Sequence, residues 1–157
     1  MVILGIDPGF ARIGYGIIEK NGGTITYKSS GLIETNNLVF TERTLFIERG
    51  LLKIIKEEKP DKAGVEKLFF SKNKKTALGV SEARGVILNT LAKNKIETLE
   101  LSPSEIKMGL TGNGNSSKKE VAYMVSKILN IDTSKVIDDT TDALAVAITS
   151  AYTKIYS

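Results

Sequence analysis

Three short stretches carry acids where chemistry is a live alternative to solvation. Asp7 closes the apolar run Val2–Ile6 in "VILGIDPG". Glu66 closes "AGVE", and Asp138, Asp139 and Asp142 open "DDTTDALAVAITS". The chain has no histidine and no cysteine. Disulfides, thiolate metal sites and thiol nucleophiles are therefore excluded, and the usual zinc ligand and neutral-pH base are missing. Carboxylates gathered in one place suit a hard divalent cation, Mg²⁺ with Mn²⁺ as a substitute. Two such ions about 4 Å apart can activate water and stabilise the leaving oxygen of a phosphodiester. Taken singly, each acid has a plainer role. Asp138 or Asp139 suits a helix N-cap, Asp7 before Pro8-Gly9 a turn, and Glu66 an ordinary surface position. Convergence on one sheet edge is what makes the set chemical.

That convergence depends on the elements carrying the acids. Val2 to Ile6 reads as a strand covered on both faces. "GYGIIEK" is a second strand, Asn21 to Gly23 a hairpin turn, and "TITYKSSGLIE" a third strand. Residues 1–34 thus predict an antiparallel meander. Thr41 to Lys59 has helical periodicity, with Leu45, Leu52 and Ile55 on one face widened by Phe46 and Ile47. Pro60 ends it. "AGVE" is a short buried strand. Thr76 to Lys93 is a helix with Ala77, Val80, Ala83, Ile87, Leu88 and Leu91 on its apolar side. Gly79 and Gly85 inside it each cost about 1 kcal/mol against alanine, which points to close helix packing or a subunit contact.

"IETLEL" is a fifth strand. Ser102, Pro103 and Glu105 form a helix start with a capping box, and Ser117 with Glu120 forms another after the loop "TGNGNSS". A last helix runs from about Asp139 to Tyr152. Asp139 and Asp142 share a face of it, and Asp138 with Asp142 fits nearly as well. Its strip of Ala143, Val146, Ala147 and Ser150 allows close approach to a sheet. If the first and fourth strands are parallel neighbours, Asp7 and Glu66 emerge at one edge. The expectation is one α/β domain over residues 1–157, a five-stranded mixed sheet flanked by helices on both faces.

The cations fit an anionic partner. There are 22 Lys and Arg against 18 Asp and Glu, a net charge of +4, which alone is weak support for nucleic-acid binding. "KLFFSKNKK" after Glu66 sets Phe69 and Phe70 among Lys67, Lys72, Lys74 and Lys75. Aromatics among cations suit base stacking and phosphate contact, against the alternative that both rings are core. Lys107, Lys118 and Lys119 are further phosphate candidates, the last two beside helix-start amides. No apolar run reaches membrane-spanning length and no leader pattern opens the chain, so a soluble cytoplasmic protein is expected.

In this order, "ILGIDPG…GYG", "PDKAGVEKLFFSKN", "SEARGV", "SPSEIK", "GNGNSSKKEV" and "DDTTDALAVAIT" resemble the RuvC family of Holliday-junction resolvases over essentially the whole chain. The resemblance implies an RNase H-like fold, a homodimer, and Mg²⁺-dependent paired nicking of four-way DNA junctions. By matching position it implies catalytic metal ligands Asp7, Glu66, Asp139 and Asp142, the "TTDALA" frame selecting Asp139 over Asp138. It puts Phe69 on the family's base-stacking aromatic, Lys107 and Lys118 near the scissile phosphate, and "SEARGV" near the dimer interface. A RuvAB-type branch-migration complex is left open as a further partner. Phe10 and Glu120 depart from the family pattern, at the loop after Asp7 and near the implied DNA path. The competing readings are an RNase H-like nuclease for flap DNA or structured RNA, an ATP-binding protein of the actin and sugar-kinase type, and a non-catalytic junction binder. The second would need another domain, and the third would lose acids that are all present.

Overall fold

The computed structural model describes residues 1–36, 38–68 and 74–153. The meander is present as β1 (Val2–Pro8), β2 (Arg12–Asn21) and β3 (Thr24–Glu34). Asn21 pairs with Thr24, so the hairpin loop is Gly22-Gly23, and Gly22 takes the positive φ that such a turn requires. The chain continues through α1 (Phe40–Glu58), β4 (Lys62–Glu66), α2 (Lys74–Lys93), β5 (Glu97–Leu101), α3 (Pro103–Thr111), α4 (Lys118–Leu129) and α5 (Asp138–Tyr152). A single 3₁₀ turn at Thr133–Lys135 precedes α5.

The five strands form one sheet in the order β3-β2-β1-β4-β5. β1 is antiparallel to β2 and parallel to β4, with Ile6 opposite Val65. The next residues along, Asp7 and Glu66, therefore leave the sheet at the same edge. β5 pairs parallel to β4 beyond it. β1 is covered on both faces, which is why its pattern is continuous rather than alternating. Leu4, Ile6, Ile17, Ala63 and Val65 pack with α1 and α2 on one face, while Ile3, Ile18 and Leu101 pack with α3, α4 and α5 on the other.

The helix at 40–58 buries a different stripe from the one its strongest hydrophobics suggested. Arg43, Ile47, Leu51 and Ile54 face inward, whereas Leu45, Phe46 and Leu52 are 40–50% exposed. The predicted stripe mixed two faces, and Arg43 was overlooked because its charge hides the role of its position. Its guanidinium is buried, donates from Nη2 to the Gly79 carbonyl at 2.7 Å, and lies over the Phe10 ring at 4.6 Å. The helix glycines separate in the same way. A Cβ on Gly79 would sit 2.5 Å from the Phe10 ring, so that glycine serves close packing. A Cβ on Gly85 would meet nothing within 4 Å, so within this chain it does not.

Both predicted capping boxes form. Ser102 accepts from the Glu105 amide while the Glu105 carboxylate accepts from the Ser102 amide, and Ser117 with Glu120 does the same. Glu120 is thus committed to starting α4, and its pKa is lowered first by the Ser117 amide. At α5 the aspartate N-cap alternative fails: Ile137 holds the cap position with no side-chain bond. The acids of the first turn are left for other work.

Candidate active site

Glycines on the sheet bring the acids together. β-strand alternation puts Ile3, Gly5 and Asp7 of β1 on the α5 side, with Lys62, Gly64 and Glu66 of β4 and Arg12, Gly14, Gly16, Ile18 and Lys20 of β2. Gly5 pairs with Gly16 on one side and Gly64 on the other, forming a glycine row across three strands. α5 lies in that trough. A Cβ on Gly5 would fall 2.0 Å from the Ala143 carbonyl oxygen, one on Gly14 2.0 Å from the Asp139 carbonyl oxygen, and one on Gly64 2.0 Å from Ser150 Oγ. The small-residue strip expected on the helix is present, but it is only half of the device. At the far end, Lys20 and Lys62 each donate at 2.7 Å to the Ala151 and Thr153 carbonyls, a favourable placement of cations at a helix C-terminus.

The first turns of α5 thereby come to rest beside the ends of β1 and β4. Asp7, Glu66 and Asp142 line one cleft of about 570 Å³ together with Lys67, Lys107 and Lys118. The Asp7 and Glu66 carboxyls lie close enough to interact directly, two acids brought side by side at the sheet edge. Burial, and then the charges of Glu66, Asp142 and Asp139, push Asp7 well above the usual carboxyl range. Burial also raises Glu66 and Asp142. Lys118 pairs with Asp142 at 2.9 Å and Asp138 at 3.5 Å. Partial burial pulls its pKa down, but these two acids outweigh that and leave it raised.

Asp139 stands at the β2 side of the group, where Arg12 Nη2 lies 3.0 Å from its Oδ2. That oxygen is shut off from water and has no aligned hydrogen bond; the contact with Arg12 is close but poorly directed. The Asp138 side chain is 82% exposed, against 27% for Asp139.

Among the described residues no three acids already surround a common point as a finished metal cage would. The acids are instead paired off: Asp7 with Glu66, Asp139 with Arg12, and Asp142 with Lys118. The donor set still fits a hard divalent cation. It is all carboxylate oxygen, its members crowd Asp7 with like charge on top of the burial that chiefly raises its pKa, and it includes a buried Asp139 oxygen with no directed partner.

Of the remaining candidates, Lys107 reaches the cleft, whereas Lys119 is exposed in the first turn of α4 and does not line it. Phe69 lies outside the described residues. The Phe10 departure points away from the acids, to Gly79 and Arg43. Lys67, one of the cations noted after Glu66, lines the cleft as well, whereas sequence reasoning missed Arg12. The signal for Arg12 was available: it precedes Gly14 and Gly16 at a spacing of two, which puts all three on one strand face.

A meander followed by two parallel strands, with an acidic cleft where β1 and β4 end, defines an RNase H-like protein. Comparison with known proteins narrows this. The family model for crossover junction endodeoxyribonuclease RuvC matches residues 3–150, and the chain belongs to the RuvC family. It is 47% identical over 152 residues to crossover junction endodeoxyribonuclease RuvC of Brachyspira hyodysenteriae, covering 96% of this chain and 94% of that one. Identity to the Carboxydothermus hydrogenoformans protein of the same name is 46% over 147 residues, covering 94% and 93%. The solved structure of Thermus thermophilus RuvC in complex with Holliday junction substrate superposes with a TM-score of 0.89 at 29% identity, over 97% of this chain and 93% of that one. The yeast mitochondrial Holliday junction resolvase shares the fold, with a TM-score of 0.67 at 14% identity over 94% and 76%.

Proposed function

We propose that this chain is a structure-selective endonuclease that resolves four-way DNA junctions by paired, symmetric nicks, acting as a single domain over residues 1–157. Asp7, Glu66, Asp139 and Asp142 are its metal ligands, with Mg²⁺ as the natural ion. The observation that carries the reading is the meeting of Asp7, Glu66 and Asp142 with Lys107 and Lys118 in one cleft, in a chain of the RuvC family.

When bound, a pair of such ions supplies a water of lowered pKa and positive charge at the leaving oxygen. The chain's own residues do the rest. Asp7 and Glu66 sit on strand ends, so their positions are set by the sheet. Asp139 and Asp142 are held to them by α5 in its glycine trough. Lys107 and Lys118 offer charge to a phosphate, and the free amides opening α4 add to that pull. Lys119, exposed beside them, extends the basic surface along the DNA. Phe69 is assigned the stacking role on junction bases.

Two nicks across one junction require two cleavage centres, which a homodimer supplies. The outer surfaces of α1 and α2 favour one: Leu45, Phe46 and Leu52 are half exposed, Leu78 is 72% exposed, and Gly85 leaves open room for close approach. The test is incubation of the protein with a synthetic four-way junction and Mg²⁺, mapping nicks on all strands. Symmetric nicks in opposing strands, with ends a ligase seals, are the expected result. Equal cutting of flaps and other branched DNA by a monomer would overturn the proposal in favour of a general RNase H-like nuclease.

A further inference from the structure

Asp7, Glu66 and Asp142 line the cleft, whereas Asp139 stands beside it, paired with Arg12, a residue with no place in the proposed cleavage chemistry. Arg12 stands on β2, two residues before Gly14, over which the backbone of Asp139 lies. Strand alternation therefore fixes Arg12 on the α5 side, at the level of the acidic first turn. Its Nη2 is 3.0 Å from Asp139 Oδ2, and the Arg12 side chain as a whole is about half exposed. Among the described residues it is the one cation paired with Asp139.

An exposed ion pair usually contributes little, but this one differs in two respects. The Asp139 oxygen it meets is buried and has no other polar partner. Beside that turn of α5 the carboxylates of Asp7, Glu66 and Asp142 line one cleft, so negative charge is concentrated next to Asp139. A fixed cation at the rim of such a group neutralises part of that field, and a divalent ion entering the same group must compete with it.

We propose that Arg12 is a place-holding counter-cation. It keeps Asp139 paired and in position while no divalent ion is bound, and it yields the carboxylate when an ion enters. Arg12 is thus a positioning residue that lowers the ion affinity of the cleft in return for a preassembled acid set. This inference rests on the reading of Asp139 as a metal ligand, and its test separates the two.

The test is calorimetric titration of Mn²⁺ into DNA-free wild type, Arg12→Gln and Arg12→Lys at low ionic strength, with melting curves in chelator as a second readout. Removing the charge should tighten Mn²⁺ binding about five- to twentyfold, the size expected of one screened unit charge a few ångströms from a divalent ion. Arg12→Lys keeps the charge and should stay within about threefold of wild type. In chelator Arg12→Gln should melt below wild type, because the acids lose their neutralising partner, and its Mn²⁺-induced rise in Tm should be larger. Unchanged or weaker Mn²⁺ binding by Arg12→Gln overturns the inference, as does an Arg12→Lys variant that tightens as far as Arg12→Gln. Wild type that binds no Mn²⁺ overturns the metal reading itself.

Discussion

Replacing Gly5 by alanine perturbs the active site through its geometry alone. The new Cβ would stand 2.0 Å from the Ala143 carbonyl oxygen, 2.5 Å from the Ala147 amide nitrogen and 2.9 Å from the Ala147 Cβ. Two of these neighbours are backbone, so no rotamer change relieves them. To reach an ordinary contact of about 3.4 Å, α5 must retreat by about 1.4 Å, since dense interiors tolerate no such overlap. Overpacking of this kind costs about 1–3 kcal/mol, against about 5–15 kcal/mol for a typical domain, so the variant should fold with a lowered Tm. The retreat carries Asp139 and Asp142 with the helix while Asp7 and Glu66 stay on the sheet. A misplacement of about 1 Å costs roughly a hundredfold in rate. Single-turnover nicking of a four-way junction should therefore fall about a hundredfold, with junction binding retained. Gly64→Ala offers a matched comparison, because its nearest obstacle is the Ser150 side chain at 2.0 Å; adding Ser150→Ala should recover much of the loss. A folded Gly5→Ala protein nicking within threefold of wild type would refute the reasoning.

The remaining predictions concern charge. Asp7 has a folded-state pKa raised by burial and then by Glu66, Asp142 and Asp139. Its contribution to stability is thus present below the ordinary carboxyl range and lost as pH rises through the raised value. Asp7→Asn should then raise the Tm in chelator at neutral pH while abolishing nicking and keeping junction binding; a lowered Tm would contradict the sign. Asp139→Asn should reduce nicking by orders of magnitude and Asp138→Asn by less than about threefold, since the Asp138 side chain is 82% exposed; equal losses in the nicking assay would show the helix register to be wrong. Junction affinity should fall steeply with salt, and Lys107→Ala or Lys118→Ala should each reduce the slope of log K against log salt by about 1.

The sequence carried more of the fold than of the fine geometry of the site. The meander, the two capping boxes and the strand-ending acids were readable because each rests on local rules: alternation, turn glycines and N-cap chemistry. The parallel pairing of β1 and β4 was an assumption, as nothing local to "VILGIDPG" or "AGVE" states which strand neighbours which. The stripe on the helix at 40–58 was misread because a buried arginine does not look like a core residue. Its role depends on Phe10 and Gly79, from distant parts of the chain. The glycine trough was half visible. Small residues on α5 could be read as a packing strip, but Gly5, Gly16 and Gly64 become one row only when the register aligns them. The face of Arg12 was readable from its spacing to Gly14 and Gly16, but its partner was not, since Asp139 lies on another element and ion pairing has no sequence period.

On this reading α5, seated on the sheet glycines, completes a carboxylate site for divalent ions with Asp7 and Glu66. The direct measurement is an anomalous-difference map from crystals of the wild-type protein grown with Mn²⁺. Peaks are expected in the cleft lined by Asp7, Glu66 and Asp142, on the side toward Asp139, with Asp7 among the ligands. A protein that nicks junctions with Mn²⁺ but shows its anomalous peaks away from Asp7 would contradict this reading.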